Sequence, residues 1–479
     1  MAASSLAKSA GLDSDYPTMQ VGGGRHATYK KSIRLVHSEL APQQSEAYRL
    51  IVTPEQIDIE AGSEAGIWCG IETVRQLILS SGADIPCFSC YDEPRFEWRG
   101  FMLDCCRHFF TVEFIKKMID VASLHHLNRF HWHLVDDQGW RIPIPEYPLL
   151  TEVGAYRTKL DQNWDPIYGG FYTHEQIREV VAYAAQRHVM VVPEIETPGH
   201  ASALLTAYPE LGCTGGPYQV EARWGIFDEV MCVGNDKVLT VLDAVFKTVA
   251  ELFPAPYIHI GGDECPRTRW KECPKCQQRM KDEHLKSEDE LQSWMTVQVT
   301  KLVEKYGRRA IGWDEVLDGT ESLGLPKSVI VMSWRGLEGG IKASAMGHQV
   351  IMCPITGCYL DYRHLTSPEE PGNIGLVTVK SAYESDPIVD EMDEQQAQNV
   401  IGGQGNLWTE KICYSKHAEY MYFPRLSALA EGLWTPKANK DFESFRNRLP
   451  ALQDRLDALG FYFFKGALAD DEKPQSCGY

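Results

Sequence analysis

Two adjacent carboxylates, Asp263 and Glu264, preceded by the pair Gly261-Gly262, are the sharpest chemical feature of this sequence. Cleaving a glycosidic bond needs an acid to protonate the leaving oxygen and a second group to stabilise an oxocarbenium-like centre, usually two carboxylates set apart across the sugar. Neighbouring residues point apart or lie side by side, which suits an acid beside a helper better than an acid facing a nucleophile. In substrate-assisted glycosidases the substrate's own 2-acetamido carbonyl attacks the anomeric carbon, and an acid with a helper fits that division of labour. The glycines let the backbone come close and leave room for a ring.

Further candidates sit just past apolar runs: Arg107 and His108, Asp136 and Asp137, Glu196 and His200, Trp313 with Asp314 and Glu315, Trp334 and Arg335, Tyr359 and Asp361, Trp408 and Glu410. Any one of them could cap a strand or fill space; all together they describe a carbohydrate pocket. Indoles stack on the apolar faces of a sugar, and carboxylates and arginine bond vicinal hydroxyls. A phosphate site would want lysines and helix N-termini instead. GxGxxG, P-loop, GxSxG and HExxH strings are absent.

The runs that must position these residues are 100–105, 129–134, 189–194, 257–260, 309–312, 329–332, 349–353 and 399–402. Helical spacing follows over 112–127, 174–187, 238–252, 290–306 and 417–433, while the fifth connection is too short for a full helix. Strands alternating with helices imply parallel pairing, and eight near-continuous apolar strands predict an α/β fold, a closed (β/α)8 barrel in which the strand C-termini converge on one face. Upstream, strands over 47–53 and 56–60 and a helix over 65–79 form a small α+β unit, with room for two or three strands. The expected division is a flexible leader at 1–27, the small α+β domain at 28–95, the barrel at 96–440, and a C-terminal helix and tail at 441–479, the helix spanning 442–459 and packing on the barrel or the small domain.

With 44% hydrophobic and 24% charged residues in 479, a disordered or fibrous chain is excluded. Lys+Arg 47 against Asp+Glu 66 gives a net charge of −19, which repels phosphate backbones and anionic membranes, so neither nucleic acid nor membrane is an expected partner. The first residues lack the apolar core of a signal peptide, although a removed leader would leave no trace. Of fourteen cysteines, the adjacent Cys105-Cys106 and the pair Cys353 and Cys358 lie in or beside apolar runs, which favours reduced core thiols and a cytoplasmic setting. Two CxxC pairs, Cys87/Cys90 and Cys273/Cys276, stand 182 residues apart, too far for a contiguous zinc ribbon. A structural zinc site completed by Cys265 and His284 is the alternative for the second pair.

The strings Arg99-Gly-Phe-Met-Leu-Asp104, Arg107-His-Phe-Phe110, His131-Trp-His-Leu-Val-Asp-Asp-Gln-Gly-Trp140, Pro193-Glu-Ile-Glu-Thr-Pro-Gly-His200, His259-Ile-Gly-Gly-Asp-Glu264, Gly312-Trp-Asp-Glu315 and Gly405-Asn-Leu-Trp-Thr-Glu410 closely resemble the family-20 glycoside hydrolases, the β-N-acetylhexosaminidases. The resemblance covers about residues 45–435 in order. It implies a (β/α)8 barrel behind a small α+β domain and exo action with retention of β configuration. It further implies that Glu264 is the general acid, tuned by a relay of Asp136 and His200, and that Asp263 orients the acetamido N–H. Tyr359 would bond the acetamido carbonyl, and Trp313, Trp334 and Trp408 would wall the pocket. Arg107 and Glu410 would grip ring hydroxyls, with Asp361 adding a bond. Glu196 stands where many members have Asp, which leaves its role unassigned.

On this reading the substrate is an oligosaccharide ending in N-acetylhexosamine, no metal or organic cofactor is required, and a homodimer is allowed. Trp164 and Trp224, on two long loops, could touch the leaving group. Two other classes compete: a catalytically silent sugar-binding protein, and a glycosidase using Asp314 or Glu315 as an enzyme nucleophile.

Overall fold

Eight short strands, buried on both faces, close into a barrel: β5 (Trp98–Asp104), β6 (Arg129–His133), β7 (Met190–Glu194), β8 (Tyr257–His259), β9 (Arg309–Trp313), β10 (Ile330–Ser333), β11 (Val350–Met352) and β12 (Val400–Leu407). Their numbering continues from a four-stranded N-terminal sheet described below. All eight pair in parallel and in chain order, with β12 returning to β5. Each corresponds to one of the eight apolar runs, because a parallel strand covered on both faces is predominantly apolar. The computed structural model describes residues 32–38, 45–82, 84–158, 167–320, 322–466 and 468. The expected leader at 1–27 and Trp164 lie outside the described residues.

The small domain is larger than expected. It holds four strands, β1 (Ser32–His37), β2 (Tyr48–Val52), β3 (Gln56–Ala61) and β4 (Phe88–Asp92), in the order β1-β3-β2-β4, with helix α1 (Glu64–Ser81) between β3 and β4. The two strands beyond the expected pair, β1 and β4, lie at the sheet edges and are half-exposed, so they lack the apolar signature of a buried strand. Side chains tie this domain to the barrel: Arg99 is paired with Glu46 at 2.6 Å, and Trp434 donates from Nε1 to Asp92 at 2.9 Å.

Around the barrel run α2 (Val112–Leu124), α3 (His174–Ala185), α4 (Asp236–Leu252), α5 (Pro274–Asp282) and α6 (Glu288–Lys305). Their starts are set by side-chain caps, among them Thr111, Thr173, Asn235 and Ser287, each accepting from a backbone N–H of the first turn. The helix expected over 417–433 is two, α7 (Ser415–Tyr422) and α8 (Arg425–Trp434), because Pro424 has no N–H to continue the ladder. The last helix, α9 (Phe442–Ala458), lies along α1, and Arg455 donates to Ser80 at 2.8 Å. Among the described residues no helix is long and apolar enough to cross a membrane.

Arg425, fully buried at the start of α8, fixes the loop that leaves β11. Its guanidinium donates to the carbonyls of Leu360, Tyr362, Val377 and Met421 at 2.6–2.9 Å and to that of Arg363 at 3.3 Å. Burial brings its pKa down to about 9, with Asp361 opposing the fall. Arg425→Met removes the donors and leaves buried acceptors unpaired, each at about 1–3 kcal/mol. The expected loss is about 3 kcal/mol or more in urea denaturation; an unchanged midpoint would show that the loop holds itself.

Candidate active site

The strand ends deliver side chains to one rim, and contacts join them in sequence. At the end of β5, Arg107 extends over the ring of Trp408, 5.1 Å from its centroid, and donates to Gln138 at 2.9 Å. Its guanidinium lies 2.9 Å from Asp136, which also meets His133 at 2.9 Å. These cations hold the Asp136 carboxyl well below the usual range against the effect of burial.

His200 connects this part of the site to the acidic pair. Its Nε2 is 3.5 Å from Glu264 and 3.7 Å from Asp263. The relay was expected to run through Asp136; His200 Nδ1 lies nearer to Asp137, at 2.9 Å, than to Asp136, at 3.5 Å. Asp136 is turned to Arg107 and His133, and Asp137, which also accepts from Ser202 N–H and O–H, is left to face the imidazole. Sequence alone does not say which of two adjacent acids faces the histidine. Burial opposes protonation of His200, but Asp136, Asp137 and Glu264 raise its pKa well above the usual value. His200 and Glu264 both have left-handed backbones, with φ of 47° and 46°. Such strain in non-glycine residues gathers at functional sites.

Asp263 is buried, and among the described residues its Oδ1 has no hydrogen-bond partner. Burial, with Glu194 and Glu264 adding to it against His200, pushes its pKa up to about 6. Beneath it, Glu196 is buried with both carboxylate oxygens unpartnered among the described residues. Burial, Asp263 and Glu194 raise its pKa well above the usual carboxylate range. Gly261, at φ 68°, makes room for it: a Cβ there would fall 1.8 Å from Glu196 Oε2.

The aromatic residues form a continuous wall. Trp334 stacks on Tyr359 at 5.9 Å between centroids, Tyr359 lies 6.3 Å from Trp408, and Trp408 lies 5.8 Å from Trp313. Trp334 donates from Nε1 to Glu315 at 2.9 Å. Asp361 accepts from Asn373 at 2.9 Å and keeps Oδ1 unpartnered among the described residues; burial and Glu410 push its pKa up to about 7. Glu410 is raised by burial against Arg107. These contacts bring the expected site residues to the C-terminal ends of the barrel strands. Trp224 is half-buried, 5.6 Å from the His108 ring.

The sequence reading missed the floor. Glu194, buried at the end of β7, has His259 Nδ1 and Trp313 Nε1 each 2.8 Å from Oε1, His131 Nε2 2.9 Å from Oε2, and His133 Nδ1 bonded to Oε2. Burial would raise its pKa, but His259, His133 and His131 hold it well below the usual range. The available signal was the alternation His131-Trp-His133, which puts both imidazoles on one face of β6.

An acid beside a helper carboxylate, under stacked rings at the C-terminal rim of such a barrel, is the arrangement of the glycoside hydrolase class. Comparison with known proteins narrows it. The family model "Glycosyl hydrolase family 20, catalytic domain" matches residues 96–437 and "Glycosyl hydrolase family 20, domain 2" matches residues 2–93. The chain belongs to glycosyl hydrolase family 20. It is 45% identical over 433 residues to a β-hexosaminidase of Porphyromonas gingivalis, covering 88% of this chain and 55% of that protein. To the β-hexosaminidase of Vibrio furnissii it is 37% identical, covering 80% and 64%. It thus spans somewhat over half the length of these two relatives. Among solved structures, the exo-β-N-acetylglucosaminidase of Vibrio harveyi in complex with N-acetylglucosamine superposes with a TM-score of 0.82 at 34% identity, covering 91% of this chain and 69% of that one. A Streptomyces plicatus β-hexosaminidase variant holding N-acetylglucosamine gives 0.82 at 30%, covering 97% and 89%.

The raised pKa of Asp263 has a signed consequence. Between about pH 4 and 6 the folded state binds a proton that the unfolded state releases, so this group's contribution to stability falls as pH rises through that window and stays low above it. Asp263→Asn removes the buried charge and is expected to melt about 2 °C or more above the parent at pH 7.5, with the gap closing towards pH 4. Calorimetry at both pH values checks this; a lower melting temperature at pH 7.5 would mean that the ionised form is favourably held.

Proposed function

We propose that the protein is an exo-acting, retaining β-N-acetylhexosaminidase that releases terminal β-linked N-acetylglucosamine, and N-acetylgalactosamine, from oligosaccharides or glycoconjugates. The observation that carries this reading is the placement of His200 against both Asp263 and Glu264, with Asp263 buried and one oxygen unpartnered among the described residues. That free oxygen suits an acetamido N–H. The names of the similar proteins, β-hexosaminidases and a β-N-acetylglucosaminidase, support the same substrate class.

In the proposed reaction Asp263 accepts the acetamido N–H and Tyr359 O–H donates to its carbonyl, whose oxygen attacks the anomeric carbon. Glu264 protonates the leaving oxygen. The negative charge that grows on Glu264 is met by the His200 imidazolium, itself held by Asp137 and Asp136. The oxazolinium ion so formed is opened by water, which Glu264 deprotonates, and two inversions give net retention. Trp313, Trp334 and Trp408 pack on the acetamido group and ring. Arg107, Glu410 and Asp361 bond hydroxyls at the closed end, which favours a terminal sugar.

An enzyme nucleophile fits less well. Asp314 accepts from Ser333 O–H, Trp334 N–H and Arg335, so its oxygens are already engaged. Burial, with Asp314 and Asp263, raises Glu315 well above the usual carboxylate range, which disfavours the nucleophilic anion.

Release of nitrophenol from the β-glycosides of N-acetylglucosamine, N-acetylgalactosamine and glucose, with and without a thiazoline built on N-acetylglucosamine, tests the proposal. Cleavage of the acetamido sugars alone, abolished by the thiazoline, is expected. Cleavage of the glucoside would indicate an enzyme nucleophile, and none at all a silent binder. Glu264→Gln should lower kcat by about 10²–10⁴-fold with sugar binding near normal; an unchanged kcat would remove Glu264 from the role.

A further inference from the structure

Away from the pocket, four cysteines converge. Cys232 Sγ is 3.7 Å from both Cys273 and Cys276, and Cys276 Sγ is 3.8 Å from Cys213. All four sulfurs lie within 4.8 Å of one another. Three are buried and Cys213 is half-buried. Cys273 and Cys276 start α5, while Cys213 and Cys232 come from the long segment between β7 and α4. The partners of the Cys273–Cys276 pair are therefore these two cysteines, in place of the expected Cys265 and His284.

A tetrahedron with metal–sulfur bonds of about 2.3 Å has edges of about 3.8 Å. The observed separations match that figure. Disulfide pairing would bring sulfurs together two by two at about 2.05 Å, whereas here Cys232 is shared equally between two neighbours and Cys276 has two neighbours at nearly one distance. The backbone around the cluster is also close: a Cβ on Gly234 would lie 2.1 Å from the Lys275 carbonyl carbon and 2.4 Å from the Cys276 nitrogen. Only glycine lets the two cysteine-bearing segments meet this tightly.

We propose that Cys213, Cys232, Cys273 and Cys276 bind one Zn²⁺ ion as a tetrathiolate. Four protein ligands leave no open position, so the ion is structural and takes no part in the sugar chemistry. What it holds is specific. Cys273 stands nine residues after Glu264, and the 213–232 segment carries Glu221, whose N–H donates to the Asp137 carbonyl at 3.0 Å, and Arg223, whose carbonyl accepts from Gln138 at 2.9 Å. Gln138 in turn holds Arg107. The metal thus joins the loop after the general acid to the loop that backs the sugar-gripping arginine.

Elemental mass spectrometry and intact-mass measurement on the full chain, purified under reducing conditions with zinc and iron in the growth medium, test the proposal. About one zinc per chain is expected, falling below about 0.2 in Cys232→Ser and in the milder Cys213→Ser. Exchange of the parent with Co²⁺ should add the thiolate charge-transfer and intense visible bands of a tetrahedral tetrathiolate, which needs no variant to fold. A metal-free chain with four freely titrating thiols, or one lighter by two or four hydrogens through disulfides, would overturn it, and so would iron in place of zinc.

Discussion

A carboxylate buried inside a barrel stays charged only if cations and donors surround it, and Glu194 is the point where this is arranged. The parallel register sets Glu194 of β7 beside His133 of β6 and His259 of β8. His131, two residues earlier on β6, and Trp313 of β9 complete the set. Four strands therefore share one anion at their C-terminal ends. The partners it fixes belong to the candidate site: the Trp313 ring directly, and Asp136 and then Arg107 through His133. Replacing the network by apolar residues would keep a barrel core and lose the orientation of the floor.

The rim follows the opposite rule. Asp263, Glu196, Asp361 and Glu410 carry buried oxygens without partners among the described residues, and burial raises the pKa of each. Such groups cost stability in the empty protein and are ready to bond a ligand that brings its own donors. The left-handed backbones of His200 and Glu264 add local strain at the same place. The floor fixes geometry with satisfied charge, while the rim keeps buried carboxyl oxygens without partners among the described residues.

The sequence made much of this legible, for a physical reason. Parallel strands buried on both faces leave continuous apolar runs, so β5 to β12 stood out, and residues just past each run had to lie on one rim. What stayed hidden depends on neighbours remote in sequence or on a choice between adjacent side chains. β1 and β4 are half-exposed edges with no apolar run to announce them. Asp137 faces His200 where Asp136 was expected, since adjacent acids look alike in a string of letters. Glu194 was read as the end of a strand, because its partners come from three other strands. Cys213 and Cys232 carried no spacing signature at all.

Loops this long at a barrel rim need anchors, because each ordered residue opposes folding by about 1–2 kcal/mol of backbone entropy. Two buried arginines supply them. Arg141 donates to the carbonyls of Cys105, Cys106, Ala155 and Gly170 at 2.5–3.0 Å, fixing the turn just ahead of Arg107, and Arg425 binds the stretch that carries Tyr359 and Asp361. A guanidinium suits this work because its flat array of five N–H donors can meet several carbonyls at once, which a lysine cannot do with one compact head. His200 and Glu264 stand on the two loops between these anchors. The cysteine tetrad joins those two loops, so each group of candidate site residues is held by a centre that collects backbone or sulfur from several turns and leaves the site side chains free.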